Sequence, residues 1–201
     1  MINGLRTTVT WILLVTPNLA FAHSSVHGLN SFINGLLHPL FVPSHLLLLI
    51  ALGLYLGQQE SNNNLNTLKI FLTSSVVGVA ASAYATGCEV DIILLGETLI
   101  IGLLVATKPS LTQHWHLFFG ASAGFILGLD SVHDTVAGVD KLISLLGSLV
   151  GLSMLLLQPM AFADYFKKHS WQKVGIRVLG SWVAASALLV FALTVSTRAS
   201  I

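Results

Sequence analysis

Apolar segments of membrane-crossing length recur along this chain, near residues 34–57, 68–87, 91–107, 114–130, 139–161 and 174–196. About 20 apolar residues cross the hydrocarbon core as a helix. Inside that core every backbone N–H and C=O must find a partner within the protein, which leaves helices and closed barrels. The alternating pattern of barrel strands is absent, so the expected fold is all-α, a polytopic membrane bundle of six transmembrane helices. Composition agrees: hydrophobic residues make up 54% of the chain and charged residues 8%, against about a quarter charged in a soluble domain. The 201 residues leave room for one bundle and no separate soluble domain. QQESNNNLNT, TKPSLTQ and DYFKKHSWQK read as polar connecting loops. The net charge of +1 gives no reason to expect nucleic-acid binding, and the single cysteine, Cys88, excludes an internal disulfide framework. The lipid bilayer is the first partner expected.

Ahead of the first span, Arg6 supplies a positive n-region and WILLVTPNLAF a short apolar h-region. Ala20-Phe21-Ala22 then matches a small-residue cleavage site. Pro17 and Asn18 interrupt the segment as a membrane helix, so residues 1–22 are expected to be a signal peptide and 23–201 the six-helix transmembrane domain. Loop charge gives the same orientation by an independent route. With residue 23 exported, Lys69, Lys108, Lys167, Lys168, Lys173 and Arg177 flank the cytoplasmic ends, and only Lys141 and Arg198 the outer ends. The expected location is the inner (plasma) membrane of a bacterium-like cell, with the mature N-terminus outside.

The acids have the opposite bias. Glu89, Asp91, Asp130, Asp134 and Asp140 fall at or near outer ends, with His23, His27 and His133 beside them, and Glu97 lies within the third span. Such a mouth would concentrate divalent cations. Loops also need solvating charges, but inside a span an ionisable group is costly and usually faces a cavity. HPLFVPSHLLLLIALGLYLG carries two such groups, His38 and His45. On a regular helix they share a face but stand about two turns, roughly 10 Å, apart. Pro39 and Pro43 each remove a backbone donor and disturb the preceding turn, and a helix broken there could bring His45 into a site with Ser44 beside it. Glu97, in LLGETLIIG, could be a cation ligand, a proton acceptor or a neutral acid bonded to a neighbouring helix. Gly120, Gly124 and Gly128 form a four-residue ridge that lets another helix approach closely and would set Asp130 against a neighbour. Gly53/Gly57 and Gly147/Gly151 repeat the spacing. Both histidines are expected to face the interior, with at least one of Asp91, Glu97 and Asp130 near them.

FINGLLHPLFVPSHLLLLIALGLYLG resembles the first-helix signature of the HupE/UreJ proteins, membrane permeases linked to nickel and cobalt supply. That signature has His-Pro, a second His seven residues after the first, usually preceded by Asp, and a Gly-rich apolar run; His38, Pro39, His45 and Gly53 match it. A histidine soon after a cleaved signal, an acid opening a middle helix and a Gly-x-Glu in a later helix correspond to His23, to Glu89 or Asp91, and to Gly128-Leu129-Asp130. Ser44 stands where Asp is usual and Val42 where Gly is common, while Ala123 and Leu127 replace histidines. The resemblance implies a transporter of a divalent metal cation, most often nickel or cobalt, with no tightly bound cofactor. Its metal-handling residues would be His38, Ser44, His45, Asp91, Glu97 and Asp130, with His23 and His27 as a shallow capture site. Imidazole and carboxylate suit Ni, Co, Zn and Cu in overlapping ways, so the ion stays open.

Two rival readings are a haem-binding membrane redox protein, which would show a Soret band, and a non-transporting metallocentre assembly factor, which would accumulate no metal. A homo-oligomer is left open. No nucleophile–base motif suggests an enzyme. Sequencing the N-terminus of the mature protein should read His23 first; a start at Met1 would show that the leader is retained.

Overall fold

A computed structural model of the chain describes residues 30–59, 61–82, 90–131 and 138–199. The proposed leader, His23, His27, Cys88, Glu89, His133 and Asp134 lie outside the described residues. Within them the protein is all helical. The seven helices are α1 (Ser31–Phe41), α2 (Pro43–Gln58), α3 (Ser61–Ala81), α4 (Asp91–Thr107), α5 (Gln113–Asp130), α6 (Gly138–Phe166) and α7 (Ser170–Ala199).

The expected first span is two helices, bent by 73° at Val42. Pro43 occupies the first turn of α2, where a missing N–H costs nothing. Val42 serves both helices: its N–H donates to the His38 carbonyl (3.2 Å) and its own carbonyl accepts from Leu46 (3.0 Å). Pro39 stays inside α1, so the second proline alone marks the break.

Other boundaries depart from the sequence reading in instructive ways. The Asn-rich segment read as a loop is largely the first turns of α3, because Asn64 and Thr67 are buried. DYFKKHSWQK is mostly helical too, leaving a connection of only Lys167–His169 between α6 and α7. Between α4 and α5 the turn is a true stop. Lys108 adopts a left-handed conformation (φ 49°) and its N–H caps the Leu104 carbonyl at 2.8 Å, with Pro109 barring further helix.

The expectation of six spans is met in part. α6 and α7 are each long and apolar enough to cross a membrane, and α1 with α2 passes as a broken span. α4 has only 17 residues, while α3 and α5 open with the polar turns SNNN and QHWH. Ile93, Ile100, Leu103, Phe118, Leu146 and Leu188 are exposed on the outside of the bundle, as a lipid-facing surface requires.

α2 is the central pillar. Its Leu48, Leu49, Leu52, Tyr55 and Leu56 are buried on all sides, as expected of a helix apolar all round. α6 and α4 pack on it, while α3 pairs with α5, α1 with α6 and α4 with α7. The glycine pairs make these contacts. Gly53 and Gly57 meet the α6 backbone at Leu156 and Met160, and Gly147 and Gly151 meet α1 at Phe32 and Leu36. The α5 ridge receives α3, with Gly120 on Thr67, Gly124 on Phe71 and Gly128 on Ser75.

Cations close one end of the bundle. Lys167 Nζ lies 2.6 Å from the Gln59 carbonyl and 2.7 Å from Asp164. Arg177 Nε donates to the Ala106 carbonyl at 2.6 Å. Both cations sit against helix C-termini, the favourable pole for positive charge.

A Cβ added at Gly35 would overlap the Ser144 carbonyl of α6, whereas one at Gly175 meets nothing within 4 Å. Gly35→Val should therefore destabilise the bundle by about 1–3 kcal/mol, and Gly175→Ala should stabilise it slightly through helix propensity. Thermal unfolding in detergent measures both. An unchanged midpoint for Gly35→Val would refute the close α1–α6 approach.

Candidate metal site

His45 is fully buried (0% exposed) on the first turn of α2, and its Nε2 lies 2.8 Å from Oδ2 of Asp130 at the end of α5. With Asp130 ionised the carboxylate can only accept, and Nε2 then carries the shared proton. Nδ1 is buried and has no protein partner; in a neutral ring it carries a lone pair. A ring N–H held by a carboxylate with the opposite nitrogen open is the usual arrangement of a metal-ligating histidine. The Asp130 side chain keeps 21% exposure, so the pair is within reach of water.

The bend at Val42 decides what lies beside this ring. His38, buried on α1, meets His45 edge to face with ring centroids 5.3 Å apart. A straight helix would hold them about two turns apart. Ser44, on the next position of α2, donates its hydroxyl to Oδ1 of Asp91 at 2.7 Å. Asp91 opens α4, where negative charge suits the helix N-terminus. Three separate elements, α2, α4 and α5, thus bring polar groups together, with His38 of α1 against His45.

Glu97 goes elsewhere. It is buried, Oε1 accepts from the Ser122 hydroxyl of α5, and Oε2 has no protein partner. Among the described residues no three His, Cys, Asp or Glu side chains converge tightly enough to hold a metal ion. The site is therefore a His–carboxylate pair with a second imidazole in contact, and Asp91 is tied to Ser44 beside it. Asp130 reaches His45 from a helix face other than the glycine ridge, which is occupied by α3. Sequence reasoning missed the two serine contacts, Ser44–Asp91 and Ser122–Glu97. Both join helices distant in the chain, and a serine inside an apolar helix gives no distinguishing signal.

With this geometry in place, the comparison with protein families is decisive. The HupE / UreJ protein family matches the chain across residues 11–190. The chain belongs to the HupE/UreJ family. Neither a curated protein nor a solved structure matches it. HupE/UreJ membership, together with the apolar helices, makes this a multi-pass membrane protein and points to a metal transporter-type function rather than an enzyme. The histidine pair at the bend falls within the matched region, as do Ser44, Asp91, Glu97 and Asp130.

The 2.7 Å contact of Ser44 with Asp91 makes position 44 a direct probe. Ser44→Asp would set two carboxylates face to face, which cannot both stay ionised without a cation or proton between them. The variant should bind divalent cations more tightly than wild type in equilibrium dialysis. Unaltered affinity would show that Ser44 does not line the site.

Proposed function

We propose that the protein is a nickel or cobalt transporter of the HupE/UreJ type, taking the ion from outside through the His45 end of the bundle. The observation that carries this reading is the His45–Asp130 pair, 2.8 Å apart, with the open Nδ1 of His45 and the His38 ring beside it. Asp130 orients the ring and stabilises the charge that an arriving cation brings, and Nδ1 of His45 is the first ligand atom. His38, whose ring contacts that of His45, and the Ser44–Asp91 pair are the candidates to complete the shell. A single strong ligand atom with movable partners suits a site that must also release its ion. Glu97, apart from the pair, is assigned to proton or cation handling deeper in the bundle.

We further propose that residues 1–22 are removed and that 23–201 form one transmembrane domain. His23 and His27 would then lie outside as a shallow capture site. The cations at the far end of the bundle support this orientation by the positive-inside rule.

Uptake of radiolabelled nickel and cobalt tests the reading. Cells expressing His45→Ala should accumulate no more metal than cells without the protein. Asp130→Asn should keep the fold and raise KM by about 10–100-fold, the range for losing a carboxylate behind a metal-bound histidine. Wild-type uptake in the His45→Ala cells would overturn the site assignment.

A further inference from the structure

Polar groups buried without partners are expensive and need a reason, and the bundle holds a second set of them well away from His45. Tyr55 Oη, Gln58 Oε1, Asn64 Oδ1 and His116 Nδ1 all lack a protein hydrogen bond, and each of the four residues is more than nine-tenths buried. Tyr55 and Gln58 sit three residues apart on α2, on one face. The Tyr55 and His116 rings are 5.2 Å apart, and Phe119 closes the apolar side of Tyr55 at 6.1 Å. Gln58 spends its amide on the Val105 carbonyl at 3.3 Å, leaving the oxygen. α3 and α5 run parallel, with Thr67 opposite Gly120, so one turn earlier Asn64 stands at the level of His116.

Nδ1 of the His116 ring is buried and has no protein partner. An imidazole nitrogen left open in this way can ligate a transition metal. The other unpartnered atoms of the set are neutral oxygens. Such a set attracts a divalent ion more weakly than one with a carboxylate.

We propose that Tyr55, Gln58, Asn64 and His116 form a second, inner station for a divalent transition-metal ion, from which the ion leaves the bundle. The proposal rests on the transport reading and extends it along α2. Ten residues separate His45 from Tyr55, about 15 Å at helical rise. Leu48, Leu49 and Leu52, all fully buried, fill the interval. That apolar plug keeps the two stations from sharing one ion and separates a charged, tighter outer site from a neutral, weaker inner one.

Cobalt(II) titration of the full-length protein in lipid nanodiscs tests this, read by equilibrium dialysis and by ligand-field absorption. His116→Gln should lose one weakly bound cobalt relative to wild type while keeping the tight class, and the same loss should appear in a His45→Ala background. That second comparison reads the inner station even if the outer site binds nothing and the transport reading falls. Tyr55→Phe, which removes one oxygen and keeps the ring, should weaken the same class by about tenfold, the scale of one polar contact to a charge. Identical cobalt stoichiometry, affinity and absorption in wild type and His116→Gln would overturn the proposal. Should His116→Gln fail to fold, an unchanged weak class in Tyr55→Phe would overturn it equally.

Discussion

A membrane interior penalises any backbone group left without a partner, so a helix can break there only where the break satisfies itself. Val42 meets that condition. Its N–H closes α1 on the His38 carbonyl and its carbonyl opens α2 to Leu46, while Pro43 has no N–H to lose. The chain therefore turns through 73° with both backbone groups of Val42 paired. Everything distinctive at the candidate site follows from that turn. It sets the two imidazoles in contact and leaves the first turn of α2 open to α4 and α5.

The second constraint is the cost of burying charge. Removing one partner of a buried pair leaves an uncompensated group, a strongly destabilising change, and three such contacts here join different helices. His45 meets Asp130, Ser44 meets Asp91 and Ser122 meets Glu97. These matches hold only if the helix backbones keep their spacing, which the glycine contacts of α6 with α1 and α2, and of α5 with α3, enforce. The packing of small residues and the chemistry of the site are thus one problem. A methyl group misplaced at Gly35 or Gly151 would shift α1, and with it His38.

Much of this was legible in the sequence, for local reasons. Apolar length and the lack of alternation gave a helical membrane protein, and α4 and α5 fell close to their expected limits because Asp91, Pro109 and Asp130 bound them. The Pro39/Pro43 pair flagged a broken helix between two histidines. The same local reasoning failed at Ser61–Thr67 and Asp164–Phe166. Polar composition there suggested loops, while burial of Asn64, Thr67 and Ala163 keeps those turns helical. His116 showed only as a histidine near a span end, and Tyr55 carried no signal, since the partners that make them a cluster lie on other helices.

Sequence alone determined the elements whose cause is carried by neighbouring residues: helix against strand, a kink at proline, small residues where helices touch, and an inventory of ionisable groups too costly to be idle in lipid. Tertiary structure decided which of those groups meet. That His45 takes Asp130 while Glu97 takes Ser122, and that the glycine ridge of α5 receives α3 rather than α2, depends on the rotation of each helix about its axis. Rotation is set by the summed packing of every facing side chain. No single stretch of sequence contains that sum, because half of each contact lies elsewhere in the chain.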